Sequence, residues 1–429
     1  MIGSAALVFA SNATAAVASL LRNLLLARLL SVEEFGIAAS FSMFMTLVEA
    51  GQNAGLNRFV VQSRHGDDDA FIKSMHGTQL FLNVGVTLLF VLIAWPYALS
   101  LGTQSVLWAY VVLSMAPVVR ILRHFDADRL QRHGRFLPST LIQVIAQIIS
   151  LAAIWPAFLW LGDSRAMLIS LVALQAAMVV VSQIVSERPF RVAFDRTYVR
   201  QGLSFAWPIL INGAVLFLVL NGDRIIVGNR FNLETLGWFS AAYMITLQPS
   251  MLLMQTIQSL ALPRLAGSQK NASDFQQIYE RTFQATLAAS VLLVIGFGLL
   301  GEFTFTLLFG EKYSQASPFL VPLATLHACR LLRAAPSVAA IARAETKNPL
   351  YANIVRALFL PVGLAVAAYT GSIMHVVVVA IVAELAALFV AILMTNRVVS
   401  VQHKRLIAVS LLAGGIVICI NLFQAGVRA

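Results

Sequence analysis

Apolar runs of about 20 residues follow one another along almost the whole chain, and each is long enough to cross a ~30 Å hydrocarbon core as an α-helix. Hydrocarbon offers the backbone no water, so a spanning segment must be a helix or part of a closed barrel. The alternating strand pattern of a barrel is missing here. Charged residues make up 11% of the 429 positions, against roughly 25% in a soluble domain. The expectation is an all-α polytopic membrane protein. The excess of basic residues, a net charge of +11, would raise nucleic acid as a partner in a soluble protein. Here most of the Lys and Arg fall in loops, where membrane topology explains them and nucleic acid is not needed.

The runs predict spans at 3–30, 35–62, 75–99, 104–124, 136–161 and 165–186, then at 202–229, 236–264, 280–300, 316–342, 349–370 and 372–398. Basic residues concentrate in every second connection, for example Arg129, Arg132 and Arg135, then Arg188, Arg191, Arg196 and Arg200. The alternate connections carry almost none, so the N-terminus is expected in the cytoplasm. Arg22 and Arg28 oppose that rule near the outer end of the first span. The first residues lack a basic leader and are read as the first span, not as a cleaved signal. The longest outer connection is expected at about 301–315.

The chain also states one plan twice. Arg22 to Gly36, RNLLLARLLSVEEFG, is echoed by Asp223 to Gly237, DRIIVGNRFNLETLG. Arg120-Ile-Leu-Arg123 recurs as Arg330-Leu-Leu-Arg333 at a similar offset. Two six-helix bundles are expected, 1–190 and 200–400, joined by the basic linker 187–201. A last apolar run within 404–425 has no counterpart in the first half and reads as an additional helix.

Polar groups inside spans are costly and usually face a bundle interior or a cavity. Glu49, Gln52, Asn53 and Asn57 fall at i, i+3, i+4 and i+8, one helix face. Ser139, Gln143, Gln147 and Ser150 form a second stripe, Asn12, Ser19 and Asn23 a third, with Ser11 and Arg22 alongside. Gln248, Gln255 and Gln258 form a fourth, and Asn212 and Asp223 a fifth. Such stripes serve either as hydrogen-bonding glue between helices or as the wall of a polar cavity.

The charges sharpen that choice. Clear acids within the spans are Glu49, Asp223 and Glu384, and arginines outnumber them. Arg28, Arg58, Arg120, Arg123 and Arg356 have a bland reading as side chains that snorkel to the interface. Arg22 and Arg330 have one as partners of Glu49 or Glu384. The sharper reading is an arginine-lined cavity for an anion, because the guanidinium stays charged and grips phosphate in two-pronged fashion. The histidines and the two cysteines lack metal spacing, so no metal site is expected. No phosphate-binding glycine loop or nucleophile elbow is present, so neither ATP-driven pumping nor catalysis is expected and no catalytic residue is assigned.

These residues carry a resemblance. Arg22-Asn23 followed by LLLARLLSVEEFG resembles the first-helix signature of the oligosaccharide flippases, the Wzx-type branch of the multidrug/oligosaccharidyl-lipid/polysaccharide exporter superfamily. The run Gly222 to Gly228, the triplet Leu262-Pro263-Arg264 and the run Leu308 to Tyr313 are similar to that family too. The resemblance implies two six-helix bundles around a central cavity in a bacterial inner membrane. It implies a flippase that moves undecaprenyl-diphosphate-linked oligosaccharide from the cytoplasmic to the periplasmic leaflet for O-antigen, capsule or exopolysaccharide assembly. By position, the diphosphate-holding role passes to Arg22, Arg58, Arg224 and Arg330, with Arg28. Asn23, Glu49, Asn53, Asp223, Gln255 and Arg333 complete the expected cavity set. Lipid-linked oligosaccharide and membrane lipid are the implied partners, with a polysaccharide polymerase and chain-length proteins. No cofactor is implied beyond a coupling ion, H+ or Na+, and Glu49 or Asp223 could pair with the arginines until substrate or that ion arrives. The rival is a cation-coupled multidrug exporter of the same superfamily, which calls for acids in the cavity.

Overall fold

A computed structural model describes residues 2–52, 55–345 and 347–396. Asn53 and the apolar run at 405–424 lie outside the described residues. Among the described residues every regular element is helical. The order is α1 (Ile2–Leu29), α2 (Val32–Gln52), α3 (Leu56–Gln62), α4 (Asp69–Ser100), α5 (Leu107–Ser114), α6 (Ala116–Arg120), α7 (Asp126–Arg132), α8 (Leu137–Ala152), α9 (Ile154–Leu161) and α10 (Arg165–Ile184). There follow α11 (Arg196–Arg230), α12 (Leu233–Gly267), α13 (Ala272–Phe309), α14 (Ser317–Leu332), α15 (Ala334–Ala342), α16 (Lys347–Leu358), α17 (Leu360–Thr370) and α18 (Ile373–Asn396). Each predicted span coincides with one helix or with a pair of consecutive helices, and the protein is an all-α polytopic membrane protein. Among the described residues seven stretches are long and apolar enough to cross a membrane by length and composition, including α4, α10, α13 and α18.

The paired helices have a common local cause. The chain breaks step at Met115, Ala153, Arg333 and Phe359, and a proline stands two or three residues later in each case, at 117, 156, 336 and 361. Proline has no N–H for the carbonyl four residues back, and its ring crowds that carbonyl. Helices α4, α11 and α13 begin six to eight residues before the expected spans, and the largest difference is at the end of α13. Helix α13 runs on to Phe309, so Glu302 is helical and the outer connection is only the short 3-10 turn Glu311–Ala316. At 38 residues α13 is about 57 Å long, well beyond a ~30 Å core.

The repeated turn has a capping explanation. The Glu34 N–H donates to Ser31 Oγ at 3.2 Å ahead of α2, and the Thr235 N–H donates to Asn232 Oδ1 at 2.8 Å ahead of α12. Both are N-caps that satisfy one of the donors a helix start leaves open. Glu34 also accepts from the Ser164 N–H at 2.8 Å, tying that turn to the start of α10.

The chain forms two compact units that divide between Phe217 and Leu218, within α11. In the first, α8 packs on α10 and α1, α4 on α5, and α2 on α5 and α10. In the second, α14 packs on α12, α13 and α18, and α18 on α16 and α17. Exposed Leu88, Leu92, Trp95, Trp155 and Trp160 give the first unit an apolar flank with aromatic ends, as lipid contact demands.

At the basic end of the first unit the connections are strapped together. Arg132 Nε and His133 Nε2 meet the Asp67 carboxylate at 3.0 and 2.6 Å, and Arg188 Nη1 donates to the Asp67 carbonyl at 3.0 Å. The hydrogen bond with His133, with Arg132 beside it, holds the Asp67 carboxyl below its ordinary range. His76 joins the linker by a 2.8 Å contact of Nδ1 with the Arg191 carbonyl.

Between α2 and α3, Gly55 has φ +72°, and an added Cβ would collide with Ile209 Cδ1 of α11. Gly55→Ala is expected to cost about 1–2 kcal/mol from the left-handed backbone alone. A thermal unfolding curve in detergent should shift down, and an unchanged midpoint would show that this turn relaxes freely.

Candidate functional site

Within the first unit, the charges of α1 and α2 meet hydroxyls and amides. Arg22 is 7% exposed on α1, where Nη1 donates to Ser150 Oγ at 3.0 Å and Nη2 to Ser19 Oγ at 3.3 Å. Ser150 Oγ donates in turn to the Ser170 carbonyl at 2.9 Å, so one guanidinium joins α1, α8 and α10. Asn23 turns back on its own helix, donating to the Ser19 carbonyl at 2.7 Å. Glu49 accepts from Gln175 Nε2 at 2.9 Å, and Gln52 Nε2 reaches Gln175 Oε1 at 3.4 Å. The bland reading of Arg22 as a partner of Glu49 or Glu384 is not met: no ion pair to Arg22 exists among the described residues.

Two stripes are thereby reassigned. On α8, Ser150 meets Arg22 and Gln143 Oε1 accepts from Ser11 Oγ at 3.4 Å, so this face is glue between α8 and α1. On the second span, Gly55 takes a left-handed backbone at φ +72° ahead of α3, which removes Asn57 from the face that carries Glu49. Arg58 lies past that turn and is exposed, separate from Arg22. Arg28 is exposed in the last turn of α1, where a cation suits the helix dipole. Gln255 is exposed on α12.

The second unit holds a dense charged centre. Glu384 of α18 is fully buried and takes Arg330 Nε of α14 at 2.9 Å on Oε1. Arg333 Nε lies 3.4 Å from its other oxygen, and Arg356 Nε of α16 lies 3.5 Å from Oε1. Arg356, 1% exposed, also pairs with Asp223 of α11. Arg330 donates further to Tyr243 OH at 3.4 Å and to the Val219 carbonyl at 3.3 Å, and Tyr243 OH donates to the Leu220 carbonyl at 2.6 Å. Arg333 Nη1 donates to Asn353 Oδ1 at 2.8 Å. Arg224 donates to Ser240 Oγ at 3.2 Å and Asn221 Oδ1 at 3.3 Å, with its guanidinium 5.7 Å from the Tyr243 ring centre.

Four of the sequence-predicted residues, Asp223, Arg224, Arg330 and Arg333, therefore share one buried neighbourhood. The ion-pair reading of Arg330 with Glu384 is correct. The snorkelling reading of Arg356 is not, because its side chain is buried and bridges both carboxylates. Its signal in the sequence was the presence of lone charges in the seventh, tenth, eleventh and twelfth spans, which must neutralise one another out of water. Tyr243, Ser240, Asn221 and Asn353 have no such signal. Among the described residues no group of three or more His, Cys, Asp or Glu could hold a metal ion.

Comparison with known proteins decides the family. The model of the family described as polysaccharide biosynthesis protein matches residues 25–318. The chain belongs to that family. The teichuronic acid biosynthesis protein TuaB of Bacillus subtilis is 24% identical over 249 residues, and the amylovoran biosynthesis protein AmsL of Erwinia amylovora is 28% identical over 144. These matches take in 58% and 33% of this chain and span 52% and 37% of those relatives' lengths. Among solved structures, an inward-facing multidrug resistance MATE family transporter of the MOP superfamily aligns over 90% of this chain and 94% of its own, with TM-score 0.74 at 14% identity. The lipid II flippase MurJ, in an inward closed conformation, aligns over 99% and 93% with TM-score 0.74 at 15% identity. The fold is the one shared by these two.

Removing Glu384 leaves three guanidiniums without their common carboxylate. Glu384→Gln is expected to lose about 3–5 kcal/mol, the range for breaking a buried pair. Adding Arg356→Gln to it should recover part of the loss in the same detergent melting assay. A single variant that melts like wild type would mean that the cluster does not depend on Glu384.

Proposed function

We propose that this protein flips undecaprenyl-diphosphate-linked oligosaccharide from the cytoplasmic to the periplasmic leaflet of a bacterial inner membrane, for surface polysaccharide assembly. Its N-terminus is cytoplasmic in this reading, as the basic connections require. The observation that carries it is the charge balance of the second unit. Among the described residues the buried centre sets Arg330, Arg333 and Arg356 against Asp223 and Glu384. A net positive centre away from water is costly and is made good by an anion. Arginine in excess suits a diphosphate, which accepts paired N–H donors. Arg22 adds a cation to the first unit, held by the Ser150 and Ser19 hydroxyls. The family and the relatives named for teichuronic acid and amylovoran biosynthesis support a glycan product.

Transport proceeds by alternating access, with the oligosaccharide drawn through behind the diphosphate and the lipid tail left in the bilayer. A coupling proton or sodium ion falls to Glu49, whose carboxylate is hydrogen-bonded to an amide and not to a guanidinium. Asp223 and Glu384 are already covered by arginine. The same charge balance weighs against the multidrug-exporter alternative, since a cationic drug would meet an arginine excess. A polymerase and chain-length proteins are the partners proposed downstream.

The test is complementation in a strain lacking its own flippase, with Arg22, Arg224 and Arg330 each changed to Ala and to Lys and expression checked by blot. Ala is expected to abolish surface glycan while lipid-linked precursor accumulates inside, and Lys to rescue in part. Normal glycan from all six well-expressed variants would overturn the reading.

A further inference from the structure

A second cationic feature lies in the first unit, apart from every residue assigned above. The end of α3, the connection after it and the first turns of α11 border an open cleft of about 890 Å³. Its lining includes Arg64, His65, Arg196 and Arg200, with Phe59 and Phe205 stacked at 4.9 Å and 24°. Arg196, Arg200 and Ser204 follow one another at i, i+4 and i+8, as do Thr197, Gln201 and Phe205, so two adjacent rows of α11 face the opening. No carboxylate lines it.

The nearby acids are engaged elsewhere. Asp195 Oδ1 accepts from the Thr197 and Tyr198 N–H groups at 2.8 and 3.2 Å and caps α11. Asp68 accepts from the Ala70 N–H at 3.0 Å and from Tyr198 OH at 3.2 Å. Arg64, Arg196 and Arg200 are exposed and make no ion pair among the described residues. Arg196 and Arg200 also stand in the first two turns of α11, where the helix dipole opposes a cation. The three guanidiniums repel one another, and among the described residues no carboxylate forms an ion pair with them. A phosphate would offset that repulsion. Beside it, the stacked phenylalanines offer an apolar floor for the part of the ligand that carries the phosphate.

We propose that this cleft is a phosphate site that seats the headgroup of an anionic lipid from the leaflet at the basic end of the protein. It is independent of the flipping reading, because no residue is shared with the buried centre. A lipid is favoured as the source because the cleft joins the ends of two predicted spans, the second and the seventh, where headgroups sit. The phosphate chemistry would equally take a soluble phosphate ester, and the test separates the two.

Full-length protein in neutral detergent would be titrated with short-chain phosphatidylglycerol, with short-chain phosphatidylcholine and with inorganic pyrophosphate, reading melting midpoint and bound fraction. Phosphatidylglycerol is expected to bind saturably and to weaken at high salt. The variant Arg64→Gln/Arg196→Gln/Arg200→Gln should lose affinity on the order of 100-fold, given the contribution of each basic residue near an anionic lipid surface. Lys270→Gln/Arg281→Gln, exposed charges elsewhere, should bind as wild type. Equal affinity for pyrophosphate, lost in the triple variant, would uphold the phosphate chemistry and overturn lipid as its source. Phosphatidylcholine binding as tightly as phosphatidylglycerol, or unchanged phosphatidylglycerol binding in a triple variant that melts like wild type without ligand, would overturn the proposal. Phe205→Leu, which keeps the charges, should weaken the lipid and leave pyrophosphate unaffected.

Discussion

A charge buried among apolar helices has no water to turn to, and its partners must come from the protein or from a ligand. Much of the second unit follows from that one constraint. Glu384 alone contacts three guanidiniums, and Arg356 carries the network on to Asp223. These contacts draw α11, α14, α16 and α18 to one point. Arg333 occupies the break between α14 and α15, where Pro336 has already released a carbonyl from the helix ladder. A kink that would otherwise only weaken a span here aims a guanidinium at a carboxylate.

The two halves share a backbone plan and differ in polar chemistry. Ser31 and Asn232 cap the helices that follow them in the same way, which is why the two turns read alike. The residues just before those turns diverge. In the first unit Arg22 is held by serine hydroxyls, and Glu49 by a glutamine amide. In the second, Arg330, Arg333 and Arg356 meet the carboxylates of Glu384 and Asp223. Hydroxyl and amide partners bind a charged group less firmly than an opposite charge does. Arg22 and Glu49 therefore sit in looser hydrogen-bonded settings, while Asp223, Arg330, Arg333, Arg356 and Glu384 are locked together as ion pairs.

That contrast frames the functional proposal. A family whose relatives are named for polysaccharide biosynthesis, on a fold shared with a lipid II flippase and a multidrug transporter, leaves the sign of the substrate charge to the side chains. We take that sign to be anionic, from the arginine excess of the buried centre. The cleft beside α3 and α11 repeats the same preference in a solvated setting, where arginines stand without carboxylates and an aromatic pair supplies apolar contact.

Hydropathy determined the helical membrane fold and the positions of the helices, because a run of apolar residues has few alternatives to crossing the bilayer as a helix. Capping and proline positions explain where those helices begin and break, and the turn repeat was visible from residue 22 onward. The concentration of charge at Asp223, Arg224, Arg330 and Arg333 was also legible, since isolated charges in apolar runs stand out. Periodicity could not say which stripes are glue. The α8 stripe faces α1, and the stripe from Glu49 to Asn57 is broken by the turn at Gly55. Nor could it assign Arg356, which reads as an interfacial arginine and is a buried bridge. Only packing decides such cases, because hydrogen bonds and ion pairs depend on which helix lies beside which, and one helix's own spacing carries no record of its neighbours.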